Sequence, residues 1–135
     1  MKARFVLSAK LMLLAAVFLL MGCNSNTKPT DTRNDDHIVV LVSYTSQPNK
    51  ETETFNELTK LVEHVKNEPH FVSIKLHVDP KDKLNILLYE EWDDETYYTT
   101  EHMQTSHLQK FIADSRNFLN GPPEVSFWKL EKEFK

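Results

Sequence analysis

The 135-residue chain contains one cysteine, Cys23. A lone cysteine permits no internal disulfide framework and no cluster of thiolate metal ligands. No block of Lys and Arg interleaves with aromatic residues, which excludes nucleic-acid binding as the purpose of the chain. No apolar run reaches the roughly 20 residues that a membrane-spanning helix needs. A protein without such staples is held together by its core. The ~100 residues that carry periodic apolar patterns suffice for one modest domain burying about 65% of its unfolded surface.

What is present at the start is an address. Lys2 and Arg4 precede an apolar stretch over residues 11–21, which leads to Leu20-Met21-Gly22-Cys23. A charged segment, an apolar segment and a small residue before the cut form an export signal. The four residues LMGC resemble the lipobox of bacterial lipoproteins, in which the cysteine is lipidated and becomes the new first residue. That resemblance implies a signal peptide over residues 1–22 and a lipid anchor on Cys23, which also removes that thiol from nucleophilic chemistry. Removing residues 1–22 takes away Lys2, Arg4 and Lys10, so 13 of the 16 basic residues face all 20 acidic ones and the mature charge is −7. An acidic surface gives no attraction to anionic lipid, so membrane attachment is expected through the lipid alone. Residues 24–36, NSNTKPTDTRNDD, hold no aliphatic or aromatic side chain and are expected to be a disordered tether, reaching on the order of 20 Å as a random coil. The domain is expected over residues 37–135.

From residue 38 the pattern alternates. Residues 38–44, IVVLVSY, read as a strand ending at SQPN, where Pro48 and Asn49 give a turn and a helix start. Phe55, Leu58, Leu61, Val62 and Val65 recur at three- and four-residue steps, an amphipathic helix stopping before Pro69. Val72, Ile74, Leu76 and Val78 alternate with Ser73, Lys75 and His77 in a second strand. After the turn DPKDK comes a third, with Leu84, Ile86, Leu88, Glu90 and Trp92 on one face and Asn85, Leu87, Tyr89 and Glu91 on the other. A helical region over 94–119 and a last strand over 125–130, separated by Gly121-Pro122-Pro123, complete the order βαββαβ. This is the ferredoxin-like α+β plan, with two helices on one face of an antiparallel sheet. Both faces of the third strand carry large apolar groups, so a symmetric partner sheet is expected on the face the helices leave open, making a homodimer.

Ser106-His107-Leu108-Gln109 fits a capping box, which divides the helical region into a short helix over 94–103 and a second over 106–119. On one continuous helix His102 and His107 would point about 140° apart, so only a break lets them converge, and two histidines without a third organised ligand are a weak metal signal. Placed in the first turn of a helix, His107 is favoured in its neutral, proton-accepting form. Glu90 shares its face with Leu84, Ile86 and Leu88, so its carboxylate needs a partner, and a histidine of the neighbouring helix is the expected one. His64, His70 and His77 read as surface residues.

Glu90-x-Trp92 at a strand end, followed by His102 and the Thr105-Ser106-His107 run to Phe111, resembles the "E-x-W … H … T-x-H-x-x-x-F" segment of the antibiotic biosynthesis monooxygenase family, including its quinol monooxygenase branch. The Glu68-Pro69-x-Phe71 approach to the second strand agrees, and the resemblance covers about residues 37–130. It implies a dimeric α+β barrel with a pocket between sheet and helices in each subunit, and oxidation of quinol or other phenolic substrates by O₂ without metal or organic cofactor. Such chemistry requires a base to make a phenolate, donors for the oxyanion and an apolar pocket. Under the resemblance His107 or His102 is the base, Glu90 orients it, Trp92 and Phe71 flank the aromatic ring, and Asn85 or Tyr89 donates a hydrogen bond if the pocket faces their side. In a related haem-degrading branch the resemblance places the iron-ligating histidine near Ile112 of this chain, five residues beyond His107; the ligand is absent there, which disfavours haem degradation and leaves a shifted His107 as its one candidate ligand. The alternative is a lipid-anchored, non-catalytic dimer that binds or senses a small aromatic molecule. Either acts at the cell envelope, on the periplasmic face, and Asn24 after the lipidated cysteine is compatible with outer-membrane sorting in a two-membrane bacterium.

Overall fold

Strand β1 (Ile38–Thr45) turns Ile38, Val40, Val42 and Tyr44 to one side, all buried, with half-buried Val39 and Leu41 on the other. In this computed structural model the described residues are 37–135, so the expected signal segment, Cys23 and the tether lie outside them. The turn after β1 is set by its sequence. Lys50 N–H donates to the Gln47 carbonyl at 3.0 Å, and Asn49 takes a left-handed φ of 66°, an arrangement suited to Pro before Asn. Helix α1 (Glu51–Val65) then buries Thr54, Leu58, Leu61 and Val65. Its inward row runs through Thr54 and not through Phe55, which is exposed, and the Thr54 hydroxyl is satisfied by the Phe118 carbonyl at 3.3 Å.

Strand β2 (Phe71–Val78) corrects the expected alternation. A bulge between Phe71 and Ser73 sets Phe71 opposite Trp92 and Ser73 opposite Glu91, while Val72 is pushed out to solvent. One extra residue reverses the side a strand residue faces. Phe71 therefore packs edge-on against Trp92, with ring centroids 5.9 Å apart. Strand β3 (Asn85–Trp92) follows its expected register without interruption, with Ile86, Leu88, Glu90 and Trp92 buried.

The helical region is divided, as the break near Ser106 predicts, but by different chemistry. Helix α2 (Glu95–Thr99) is capped by the Asp94 carboxylate, which accepts from Tyr97 N–H at 2.8 Å. A 3₁₀ turn over His102–Gln104 follows, and then α3 (Ser106–Ser115). Thr105, not Ser106, sits at the start of α3 without a side-chain cap, and Gln109 Nε2 donates to the Met103 carbonyl at 2.7 Å. The capping box is thus not formed. Helix α3 stops at Ser115, short of the expected Leu119, and the last strand, β4, spans Glu124–Trp128.

The sheet order is β2-β3-β1-β4 with every neighbouring pair antiparallel. The helices cover one face, giving the ferredoxin-like α+β fold. Val40, Ile38, Leu58, Leu88 and Trp92 are almost completely buried between the layers, and each aliphatic side chain so placed contributes about 1.5–3 kcal/mol relative to exposure. On the opposite face Leu41, Leu87 and Tyr89 of β1 and β3 stay half-buried, and Trp128 of β4 is 57% exposed.

Candidate active site

The side chain that gathers the others is Glu68, in the turn after α1. Helix α1 has ended at Val65, Pro69 prevents its resumption, His70 takes a left-handed φ of 65°, and Asp93 N–H donates to the His70 carbonyl at 3.0 Å, tying this turn to the end of β3. The Glu68 side chain is only 6% exposed. Its Oε2 lies 2.9 Å from His102 Nδ1 and accepts from the Tyr97 hydroxyl at 3.1 Å, while its Oε1 is hydrogen-bonded to His107 Nε2. The two histidines do converge, because the 3₁₀ turn and the new start at α3 break the helix between them. They converge on Glu68, not on Glu90.

Glu90 has a different partner. It is 5% exposed in the inward row of β3 and accepts a hydrogen bond from Trp92 Nε1 at 3.1 Å. Burial pushes its carboxyl up to about 7; the Trp92 hydrogen bond pulls against this, and the charge of Glu68 adds to it. The expected histidine partner of Glu90 is therefore replaced by an indole two residues along the same face of its own strand.

A cavity of about 180 Å³ lies between the sheet and the helices. Glu90, His102, Tyr44 and Tyr98 supply its polar wall, and Leu88, Phe111 and their neighbours the apolar one. His102 is held below the ordinary imidazole value of 6.5 because burial outweighs the opposing hydrogen bond and charge of Glu68, with His107 adding to the depression. Tyr44 and Tyr98 are raised well above the ordinary phenol value by burial and then by Glu90. Both remain neutral hydroxyls that can donate. Met103 and Ile112, each more than a third exposed, form part of the rim.

The other expected site residues stand elsewhere. His107 lines a separate outer groove of about 150 Å³ together with His64, whose ring stacks on it at 5.7 Å. Trp92, fully buried, lies behind the cavity wall with His102 packed on it at 4.7 Å, and Phe71 is behind Trp92. Asn85 and Tyr89 point to the opposite face of β3, where Asn85 bonds Asp82 and Thr45, and Lys75 sits over the Tyr89 ring. Sequence reading missed Glu68, Tyr44 and Tyr98. Tyr44 carried a signal, being in phase with Ile38, Val40 and Val42; Glu68, in an aperiodic turn, was visible only as part of a motif. Among the described residues no group of three or more His, Cys, Asp and Glu side chains is arranged to hold a metal ion.

Over 89 residues, which are 65% of this chain and 93% of the relative, the sequence is 28% identical to the Bacillus subtilis (strain 168) protein named "Putative monooxygenase YcnE". The fold superposes on PA3566 from Pseudomonas aeruginosa with a TM-score of 0.66 at 20% identity, covering 72% of this chain and 96% of that one. It superposes on a solved antibiotic biosynthesis monooxygenase with a TM-score of 0.64 at 21% identity, covering 70% and 99%. These two likenesses speak to the fold. Residues 37–114 match the family described as antibiotic biosynthesis monooxygenase, and the chain belongs to that family.

Proposed function

We propose that this protein is a cofactor-independent monooxygenase that oxidises a hydroquinone or another phenolic ring with O₂, and that His102 is its base. The observation that carries the reading is the position of His102. It lines a largely apolar cavity that opens at a rim formed in part by Met103 and Ile112, with Nδ1 engaged by Glu68, so Nε2 is the nitrogen left for a ligand. Engineered apolar cavities of about 150 Å³ hold a benzene ring, so about 180 Å³ suits one substituted aromatic ring.

The balance of the reaction is simple: a hydroquinone and O₂ give a hydroxyquinone and water. Its first demand is a phenolate. An ordinary phenol near 10 loses its proton to an imidazole at or below 6.5 only against roughly 5 kcal/mol. Hydrogen bonds to a charged acceptor contribute about 1.5–3 kcal/mol each. Donation from two of Tyr44, Tyr98 and protonated Glu90 thus offsets most of the deficit. An electron-rich phenolate in an apolar cavity is the species that O₂ attacks, and the wall excludes the water that would quench it. His107 faces the outer groove and is assigned a supporting role, and Trp92 holds Glu90 and His102 from behind.

The half-buried apolar row on the outer face of the sheet supports a homodimer closed over that face, which would complete the barrel. The LMGC sequence supports a lipid anchor on Cys23, and with it a place in the cell envelope. Oxygen uptake by the purified protein with a panel of reduced quinones, compared with His102→Ala, tests the central claim. Uptake above autoxidation that the variant loses is the expected result; no uptake from a folded protein would leave the aromatic-binding module instead.

A further inference from the structure

We propose that Glu68 is the positioning residue of this site: its carboxylate fixes His102 as the Nδ1–H tautomer and so keeps the basic Nε2 lone pair in the cavity, while Tyr97 and His107 hold that carboxylate in place. The catalytic consequence rests on the reading of His102 as the base; the tautomer assignment does not.

Donor and acceptor roles around Glu68 fix the tautomer. A carboxylate only accepts, so the nitrogen of His102 that faces Glu68 at 2.9 Å must carry its hydrogen. In a neutral imidazole the other nitrogen is then a bare acceptor, and His102 lies on the cavity wall. The same logic makes His107 Nε2 and the Tyr97 hydroxyl donors to Glu68. Three donors from α2, the 3₁₀ turn and α3 therefore meet two oxygens of one buried carboxylate. With its side chain 6% exposed, that carboxylate has no competing access to bulk water. Its backbone is held in turn by Pro69, by the left-handed His70 and by the Asp93 N–H bond to the His70 carbonyl.

Each supporting donor prevents a particular failure. Without the Tyr97 hydroxyl, Oε2 would be anchored by His102 alone and the pair could turn together. Without His107, Oε1 would lose its donor and the carboxylate could rotate that oxygen towards His102. His107 thereby acts from the outer groove on a nitrogen it does not touch.

Glu68→Gln tests the idea because it keeps the shape and changes the donor pattern. The amide NH₂ can donate to His102 Nδ1, which favours the Nε2–H tautomer and leaves no lone pair in the cavity. The equivalent Asp-to-Asn change in serine proteases lowers kcat about 10⁴-fold with geometry intact. In ¹⁵N-histidine NMR of the full chain at pH 8, wild-type His102 is expected to show a protonated Nδ1 and a bare Nε2, and Glu68→Gln to show the reverse or a mixture. A wild-type His102 protonated at Nε2, or a Glu68→Gln spectrum that keeps the wild-type tautomer, would overturn the proposal. Glu68→Asp serves as a second variant if Gln does not fold: it is expected to retain the Nδ1–H tautomer, and its loss would count against a carboxylate as the cause. In turnover, Glu68→Gln is expected to lower kcat 10²- to 10⁴-fold with KM changed less than threefold, and Asp to restore part of it. If the tautomers come out as expected but wild type oxidises no quinol, the oxygenase reading fails and the positioning role stands.

Discussion

Trp92 Nε1 donates to the Glu90 carboxylate at 3.1 Å across two residues of the same strand face, and both side chains are buried. That single bond does not compensate for taking the charge out of water, which is why the Glu90 carboxyl rises from 4.5 to about 7. Because its folded value lies above its unfolded one, the contribution of Glu90 to stability is complete below about pH 4.5 and is lost as pH rises to about 7. The full loss is on the order of 3 kcal/mol. Glu90→Gln keeps an acceptor for Trp92 without the charge. Urea unfolding at pH 5 and pH 8 is therefore expected to show the variant gaining on wild type by up to about 3 kcal/mol at the higher pH. His102, lowered in the fold, loses stability in the opposite direction as pH falls, but it does so in both proteins and cancels in the difference. An equal gap at the two pH values would refute the buried, titrating Glu90.

The same two groups bound the pH range of the proposed reaction. His102 must be neutral, which its depressed value favours, and it is lost as a base only below the ordinary 6.5. Protonated Glu90 is one of the three donors available to a phenolate, and above about 7 it becomes a charge that opposes one. Tyr44, Tyr98 and Trp92 face Glu90, and Glu68, His107 and Trp92 face His102; none of the tyrosines titrates near neutrality. A narrow bell in kcat/KM is expected, with an alkaline limb near pH 7 that Glu90→Gln abolishes. An alkaline limb that survives in Glu90→Gln would assign it to another group.

The fold was legible because its periods are clean: β1 and β3 alternate without error, and α1 repeats every three or four residues. The exceptions are local. The bulge at Phe71–Ser73 leaves no mark in composition, since Val72 looks as apolar as the core residues it fails to join. Glu90 was conspicuous as a carboxylate in an apolar row, yet its partner was hidden because a histidine is the more familiar companion than an indole two residues away. The convergence of His102 and His107 depended on a break whose position the Thr-Ser-His sequence suggests, but whose carboxylate target, 34 and 39 residues upstream, no local pattern could supply.

The division of labour between the histidines is open to direct measurement. His102 lines the cavity, and His107 lines the outer groove beside His64. His102→Ala is expected to lower kcat by the 10²- to 10⁴-fold typical of a lost general base. His107→Ala removes one of three donors to Glu68 and is expected to cost about tenfold or less. Single-turnover oxidation of a reduced quinone by the two variants decides the matter. A larger loss from His107→Ala than from His102→Ala would transfer the base to the outer groove.

The outer face of the sheet carries an apolar row that the helices leave open. Val39 and Leu41 of β1 and Leu87 and Tyr89 of β3 are half-buried there, with Lys75 over the Tyr89 ring at 4.7 Å and the Trp128 indole 57% exposed. A partner sheet on this face would bury about 800 Å² from each protomer in an interface of ordinary size. Lysine at Leu41 and Leu87 would place charges in the middle of such a contact, where desolvation costs several kcal/mol. Neither side chain belongs to the core between sheet and helices, so the domain is expected to stay folded. Analytical ultracentrifugation at micromolar concentration should find wild type as a dimer and Leu41→Lys/Leu87→Lys as a monomer with an unchanged circular dichroism spectrum. A monomeric wild type would mean that this face is left open or is covered by something other than a second copy of the chain.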